Sequence, residues 1–287
     1  MEDELWKKAY QMLHRLGKNK RPKRAAYTNA DIVSTYLWAV LHDRPTCWAC
    51  KRKNWPVYYR RRPLPDPSTM CRRLRTKNVQ RLLRDIERAL IGQSPRNICR
   101  WIDAKGLLIS NGSTDKQAGY GYAGGGMGKG YKIYAIADPQ QGFVHWTVRP
   151  MNHKESKVAR HLIRKLEPQG YLVGDGAYDT SRLYDLTAAR HIKLVTPQRI
   201  RNASGLGHRR HSPYRIEMLS RLSSDFVRGL LRSRVGIEHM FGHLTNIGCG
   251  LKPLPGWVRG LFRVVNWVRG KMIFYHIWRQ EIALGYV

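Results

Sequence analysis

Acidic residues are scarce in this chain: 20 Asp and Glu stand against 52 Lys and Arg in 287 residues, a formal net charge of +32. A surplus that large makes a fold repel itself unless a polyanion neutralises part of it, so nucleic acid, held through its phosphates, is the expected partner. Long uninterrupted apolar runs are missing too. The chain opens on acids, "MEDELWKKAY", where a signal peptide needs a basic start and an apolar stretch. Its most apolar segment, "GWVRGLFRVVNWVRGKMIFYHIW", is broken by Arg259, Arg263, Arg269 and Lys271. Neither a signal peptide nor a membrane span is expected. Cysteine is sparse: Cys47, Cys50, Cys71, Cys99 and Cys249 form an odd, scattered set, which fits a reducing cytoplasm better than a disulfide framework.

What is present is enough for a folded protein, with 42% hydrophobic and 10% aromatic residues and length for one large core plus a small accessory domain. Residues 3 to 16 carry Leu5, Trp6, Ala9, Met12 and Leu13 at helical spacing, followed by the basic loop "KNKRPKR". "TNADIVSTYLWAVLHD" and "DPSTMCRRLRTKNVQRLLRDIERAL" read as further capped helices. The first hundred positions hold 24 basic and 8 acidic residues. Residues 1 to 96 are thus expected to form a basic, all-helical domain, with Arg72 and Arg73 in "STMCRRLRTKNVQRLL" as DNA contacts.

After Ser94-Pro95 the periodicity changes. "ICRWIDAKGLLIS", "YKIYAIAD" and "GFVHWTVR" are strand-like, the last two joined by the turn "PQQ". Then follow a helix in "KESKVARHLIRKLE", the strand "YLVGD", a helix in "TSRLYDLTAARH" and the strand "IKLVT". A meander followed by right-handed β-α-β units predicts an α/β domain over 97–287, with a five-stranded mixed sheet whose first and fourth strands are neighbours. "QRIRNASGLGHRRHSP", near 198–213, reads as an exposed basic loop.

The twelve acids beyond position 100 mostly have surface explanations: Asp138 in a hairpin turn, Glu155 near a helix start, Glu167 at a helix end, Asp185 and Asp225 on polar helical faces. Asp103 and Asp175 differ, because each follows apolar strand residues ("WID", "LVGD"), where a carboxylate is partly desolvated without a cation. The neighbouring strand ends would bring them together at a switch point of the sheet. Glu238 lies in the helical pattern "LLRSRVGIEHMFGHL", with Arg234 one turn before it. Three carboxylates converging there would make an all-oxygen site for Mg2+ or Mn2+, two ions serving phosphodiester displacement.

Other motifs fall short of their chemistry. "GYAGGGMGKG" has Ala123 and Gly130 where a nucleotide-binding loop needs Gly and Ser or Thr, and reads as a flexible lead-in to a strand. His239 and His243 lack the glutamate of a zinc-protease helix, and Cys47-x2-Cys50 is a half-motif more often made of buried thiols near tryptophan. Asp179 reads as the cap of a helix starting at Thr180.

"WIDAKGL", "GKGYKIYAIAD", "VGDGAYDT" and "RSRVGIEHMFGHL" occur in that order, and over roughly residues 97 to 275 the chain resembles the DDE transposases of bacterial insertion sequences, whose catalytic core is ribonuclease-H-like. The resemblance implies Asp103 and Asp175 as the catalytic, metal-binding aspartates and Glu238 as the catalytic glutamate. Around its glutamate the family often carries Y-x2-R-x3-E-x6-K; Arg234 fits, while Leu231 and Thr245 stand at the tyrosine and lysine positions. Lys252, His239 or His243 are the candidates to take over the contacts of that tyrosine and lysine.

The function expected is therefore a metal-dependent transposase that binds double-stranded DNA at the inverted repeats of its element and joins it to target DNA. Arg234 would orient Glu238 or hold a phosphate, Tyr178 would stack on a base, and Lys132 with the basic loop would track the backbone. The family also implies a homodimer on paired ends and a nucleoid-associated, cytoplasmic protein of a bacterium. The alternatives are a non-catalytic DNA-binding descendant and a nuclease of the same fold without strand transfer.

Overall fold

The structure, a computed structural model, describes residues 2–16, 25–59, 64–92, 96–199 and 211–283. In chain order come helices α1 (Glu2–Leu16), α2 (Asn29–Leu41), α3 (Thr46–Ala49), α4 (Pro67–Leu74) and α5 (Lys77–Ile91). Strands β1 (Cys99–Leu108), β2 (Gly119–Ala123), β3 (Gly126–Asp138) and β4 (Gly142–Pro150) follow. Next are α6 (Glu155–Ile163), β5 (Tyr171–Val173), α7 (Ser181–Ala188) and β6 (Lys193–Val195). The order closes with α8 (Pro213–Ser220), α9 (Asp225–Ser233), α10 (Val235–Asn246) and α11 (Leu261–Ala283). Two compact units result, Met1–Gln93 with His243–Val287, and Ser94–Gly242, the division falling inside α10. The "KNKRPKR" loop and most of the 198–213 loop lie outside the described residues.

The helical unit is built around α2, whose residues 32–41 are all buried. A capping box starts this helix: the Asp31 N–H donates to Thr28 Oγ1 at 3.1 Å, and Asp31 Oδ2 accepts from the Thr28 N–H at 2.9 Å. Trp38 stacks on Trp55 at 4.9 Å, and Trp6 meets both edge-on. The indole N–H groups of Trp38 and Trp55 donate to Asn54 and Ala49 carbonyls around α3, so the Cys47-x2-Cys50 segment is a tryptophan-packed turn. All five cysteines are free thiols.

The expected domain over 97–287 placed the C-terminal helix with the sheet; in the structure α11 packs against α1, α2 and α5 instead. Three successive residues of α11 make the difference. Arg269 pairs with Glu87 at 3.2 Å, Gly270 sits where a Cβ would be 2.8 Å from Val40, and Lys271, fully buried, donates to the Val40 carbonyl and to Asp43. Burial lowers the Lys271 pKa, and the Asp43 carboxylate opposes that shift. A cation that interrupts an apolar run in the sequence is thus neutralised inside this core. Among the described residues no helix is long and apolar enough to cross a membrane.

In the second unit the sheet order is β2-β3-β1-β5-β6, with β4 on β3. β1 and β3 are antiparallel, whereas β1, β5 and β6 run parallel, so the expected neighbours are neighbours. β3 is buried almost throughout from Tyr131 to Ala137, as a central strand covered on both faces must be. The sixth strand is β2. The glycine-rich stretch read as a flexible lead-in is an ordered hairpin, turned at Gly124 and Gly125 with Gly125 at φ 122°. Asp138 is not a surface turn residue either: fully buried, it accepts from the backbone N–H groups of Asn97, Gln140 and Gln141.

Candidate active site

The parallel ladder pairs Cys99 with Tyr171, Arg100 with Leu172 and Trp101 with Val173, an offset of 72 residues. Asp103 and Asp175 carry the same offset and so stand side by side where β5 has just ended, close enough for the Asp175 charge to act on Asp103. Asp103 is not at a strand end, as expected, but midway along β1, which runs on because β3 pairs with it as far as Leu108. β5 stops at Val173, and this opens the sheet beside Asp103. Asp175 caps a single 3-10 turn, Gly176–Tyr178, accepting the Ala177 N–H at 2.8 Å, which fixes one of its carboxylate oxygens.

Asp103 is largely buried. Burial, with the Asp175 charge adding to it, pushes its carboxyl from 3.8 up to about 6, although the Ala104 N–H donates to Oδ1 and Arg234 approaches Oδ2 at 3.6 Å. Arg234 also bonds Glu238 at 2.6 Å, so one guanidinium links a strand carboxylate to a helix carboxylate. The helix expected through "LLRSRVGIEHMFGHL" is divided at Arg234 into α9 and α10. Trp101 of β1 lies against this joint, its indole N–H donating to Ser233 Oγ at 3.0 Å.

Gly236 permits that approach, since a Cβ there would be 2.4 Å from the Trp101 ring. Gly236→Ala is therefore expected to destabilise the protein by about 1–3 kcal/mol through overpacking. It should also lower activity by shifting Glu238, which urea unfolding and a DNA-cleavage assay would show together.

A fourth carboxylate, read from the sequence as a surface residue near a helix start, stands nearby. Glu155, at the start of α6, pairs with Lys132 at 2.8 Å and acts electrostatically on Asp103. Lys132 is thereby engaged within the fold, not stretched along an outer surface. Tyr178 is also placed differently from expectation: it is 1% exposed, packed under Gly174 and Ile102, and its hydroxyl has no partner. Burial, and then the Glu155, Asp103 and Asp175 charges, raise its pKa well above the usual phenol range. A ring so enclosed is not available to stack on a base. Exposed aromatics occur instead on the β2–β3 hairpin, at Tyr120 and Tyr122.

Asp179 does not cap the next helix, for which Thr180 is the N-cap residue. It is a buried acid gripped by Arg215 of α8 through both oxygens, at 2.5 and 2.6 Å, and it accepts the Arg199 N–H as well. Nothing adjacent in the sequence signals this pair, whose members are 36 residues apart. In the helical unit, Arg72 is exposed on α4, while Arg73 donates to Tyr27 O and Asn29 Oδ1 and braces the start of α2.

A sheet with this strand order, with an acid on β1, an acid just past the end of β5 and a later helix carrying a third, is the ribonuclease-H-like arrangement, and a family model described as transposase DDE domain matches residues 95–264. The chain belongs to the DDE transposase family. No curated protein matches the sequence. The match covers every strand of this transposase and all three candidate acids, and the family acts on DNA, generally with divalent metal ions.

The acids suit such an ion in part. Asp103 on β1 and Asp175 just past β5 offer hard oxygen donors, and burial raises the Asp103 pKa, so an ionised Asp103 there is poorly solvated. Glu238 reaches the same place only through Arg234, and among the described residues no three His, Cys, Asp or Glu side chains form a group that could hold a metal.

Proposed function

We propose that this chain is a metal-dependent transposase that binds the ends of its own element and cuts and rejoins DNA, with Asp103, Asp175 and Glu238 as its catalytic carboxylates. The observation that carries this reading is the common register of Asp103 and Asp175, with Arg234 joining Asp103 to Glu238. Asp103 and Asp175 would hold a divalent cation, and Glu238 would join them once Arg234 lets go. The bound ion would supply Lewis acidity toward the scissile phosphate.

The protein's own groups do the remaining work. The Ala104 and Ala177 N–H bonds fix one oxygen on each aspartate; the other Asp103 oxygen, now facing Arg234, and the other Asp175 oxygen would be offered to the ligand. Arg234, released from the carboxylates, is placed to hold a phosphate oxygen. In the first step a water oxygen bonds to phosphorus, giving up a proton, as the 3′ oxygen leaves and takes up a proton to become a 3′ hydroxyl; in the second that hydroxyl oxygen bonds to a phosphorus of the target strand, giving up its proton, as the target's own 3′ oxygen leaves and takes up a proton. Exposed Arg72 on α4 and the tyrosines of the β2–β3 hairpin supply sequence-tolerant contacts to the DNA. Two copies on paired ends would synchronise the cuts.

The test is to incubate the full chain with Mg2+ and DNA carrying the inverted repeats that flank its gene. Specific cutting and joined products are expected, both lost on chelation. Cutting that survives Asp175→Ala would overturn the proposal, and cutting without joining would reduce it to a nuclease.

A further inference from the structure

Remote from the acids in sequence, the helical unit contains a cavity of about 270 Å3 between the α2–α3 connection, α4 and the start of α11. Its walls include Tyr36, Met70, Trp257, Phe262 and Trp267, which is the lining of a slot for a flat apolar body. Arg44, Arg75 and Arg263 also line it, and no acid does. At the mouth the Arg75 guanidinium lies 4.9 Å from the centre of the Phe262 ring, and Trp257 is 43% exposed.

One lining residue does not fit an apolar slot. Asn266 is 3% exposed, and neither its amide nitrogen nor its amide oxygen has a hydrogen-bond partner. A buried amide left unpaired is a standing cost to the fold, relieved by an occupant that presents an acceptor and a donor side by side. The occupant must therefore be flat, carry such an edge, and be attached to negative charge. A nucleobase still joined to its strand has all three properties, and asparagine is the side chain that matches the paired donor and acceptor of adenine.

We infer that this cavity receives one unpaired base, adenine by preference, of a bound DNA strand. The base edge pairs with the Asn266 amide, its faces meet the aromatic walls, and the flanking phosphates lie at Arg44, Arg75 and Arg263. This rests on the reading of DNA as the substrate, but it concerns a site separate from the carboxylates. It makes the helical unit a sensor of locally opened DNA in addition to a holder of duplex.

The experiment compares the full chain on two duplexes of one sequence, one fully paired and one with a single extra unpaired adenine, by fluorescence anisotropy at fixed salt. The wild type should bind the bulged duplex about tenfold more tightly. Asn266→Leu, which removes the unpaired amide at similar volume, should keep the paired-duplex affinity and melt no lower than the wild type, yet lose the preference. Trp257→Ala, on the exposed rim, carries the same comparison should Asn266→Leu fail to fold. Alkylation of Cys47 and Cys71, which are exposed and line the cavity, should be slowed more by the bulged duplex than by the paired one. Equal affinities in the wild type, a preference that survives Asn266→Leu, or competition by free AMP as effective as that of the bulged duplex would overturn the inference. Binding to neither duplex would overturn the DNA reading with it, so the two failures are distinguishable.

Discussion

Asp103→Asn is expected to abolish DNA cutting and, in the absence of metal, to make the protein more stable than the wild type at pH 7. Its carboxyl is pushed from 3.8 up to about 6, mainly by burial, so the fold holds an ionised Asp103 at a disadvantage at neutral pH. The shift corresponds to about 3 kcal/mol at most, at about 1.4 kcal/mol per pKa unit, with little screening because the side chain is 18% exposed. The sign follows from proton binding: between about pH 4 and 6 the folded state holds more protons than the unfolded one, so stability falls as pH rises through that window. The cost is full above about pH 6 and absent below about pH 4.

Asparagine carries no charge to desolvate, so the variant should gain stability at pH 7 and converge on the wild type in acid. Urea unfolding with chelator at pH 7 and pH 4 would show this, and an Asp103→Asn protein less stable than the wild type at pH 7 would contradict it. A divalent cation should stabilise the wild type and have a smaller effect on the variant. A residue that improves the fold when removed and ends activity when lost is a mark of a site kept at the expense of stability.

Asp179→Ala should have the opposite consequence, a loss of about 3–5 kcal/mol at neutral pH. The Asp179 side chain is 0% exposed and that of Arg215 9%, so truncation would leave a guanidinium nearly enclosed without its counter-ion. The Asp179 hydrogen bonds, and then burial working against them, leave the Arg215 pKa raised, and the Arg199 N–H would lose its acceptor too. Joint replacement, Asp179→Leu with Arg215→Met, should recover much of the loss, because two apolar groups need no pairing. If the single variant unfolds in urea like the wild type, the pair is not holding α8 to its unit.

Much of this was legible in the sequence because the chain is so basic. An acid placed directly after an apolar run stands out against that background, as Asp103 and Asp175 do, and the strands around them follow from their alternation and turns. Glu155 reads as a surface residue because a glutamate opening a helix is ordinary in sequence terms; only its pairing with Lys132 beside the acid cluster makes it unusual. Tyr178 was assigned to the surface because a tyrosine in a loop gives no sign of the ring's direction, and packing under Gly174 decides that. Lys271 gives no sign of its burial either, since the Val40 carbonyl and Asp43 that accept its charge lie more than two hundred residues earlier.

The sequence by itself determined the charge and hence the expectation of a polyanionic partner, the order of most helices and strands, and the two acids that directly follow apolar strand residues, Asp103 and Asp175. Local chemistry suffices for those, because periodicity, caps and desolvation act within a few residues. Tertiary structure alone decided that Arg234 spans Asp103 and Glu238, that Asp179 belongs to Arg215, and that α11 joins the N-terminal helices. Those are pairings between charges and packing surfaces distant along the chain. Their free energy depends on burial and register, and neither exists until the sheet and the helices have closed.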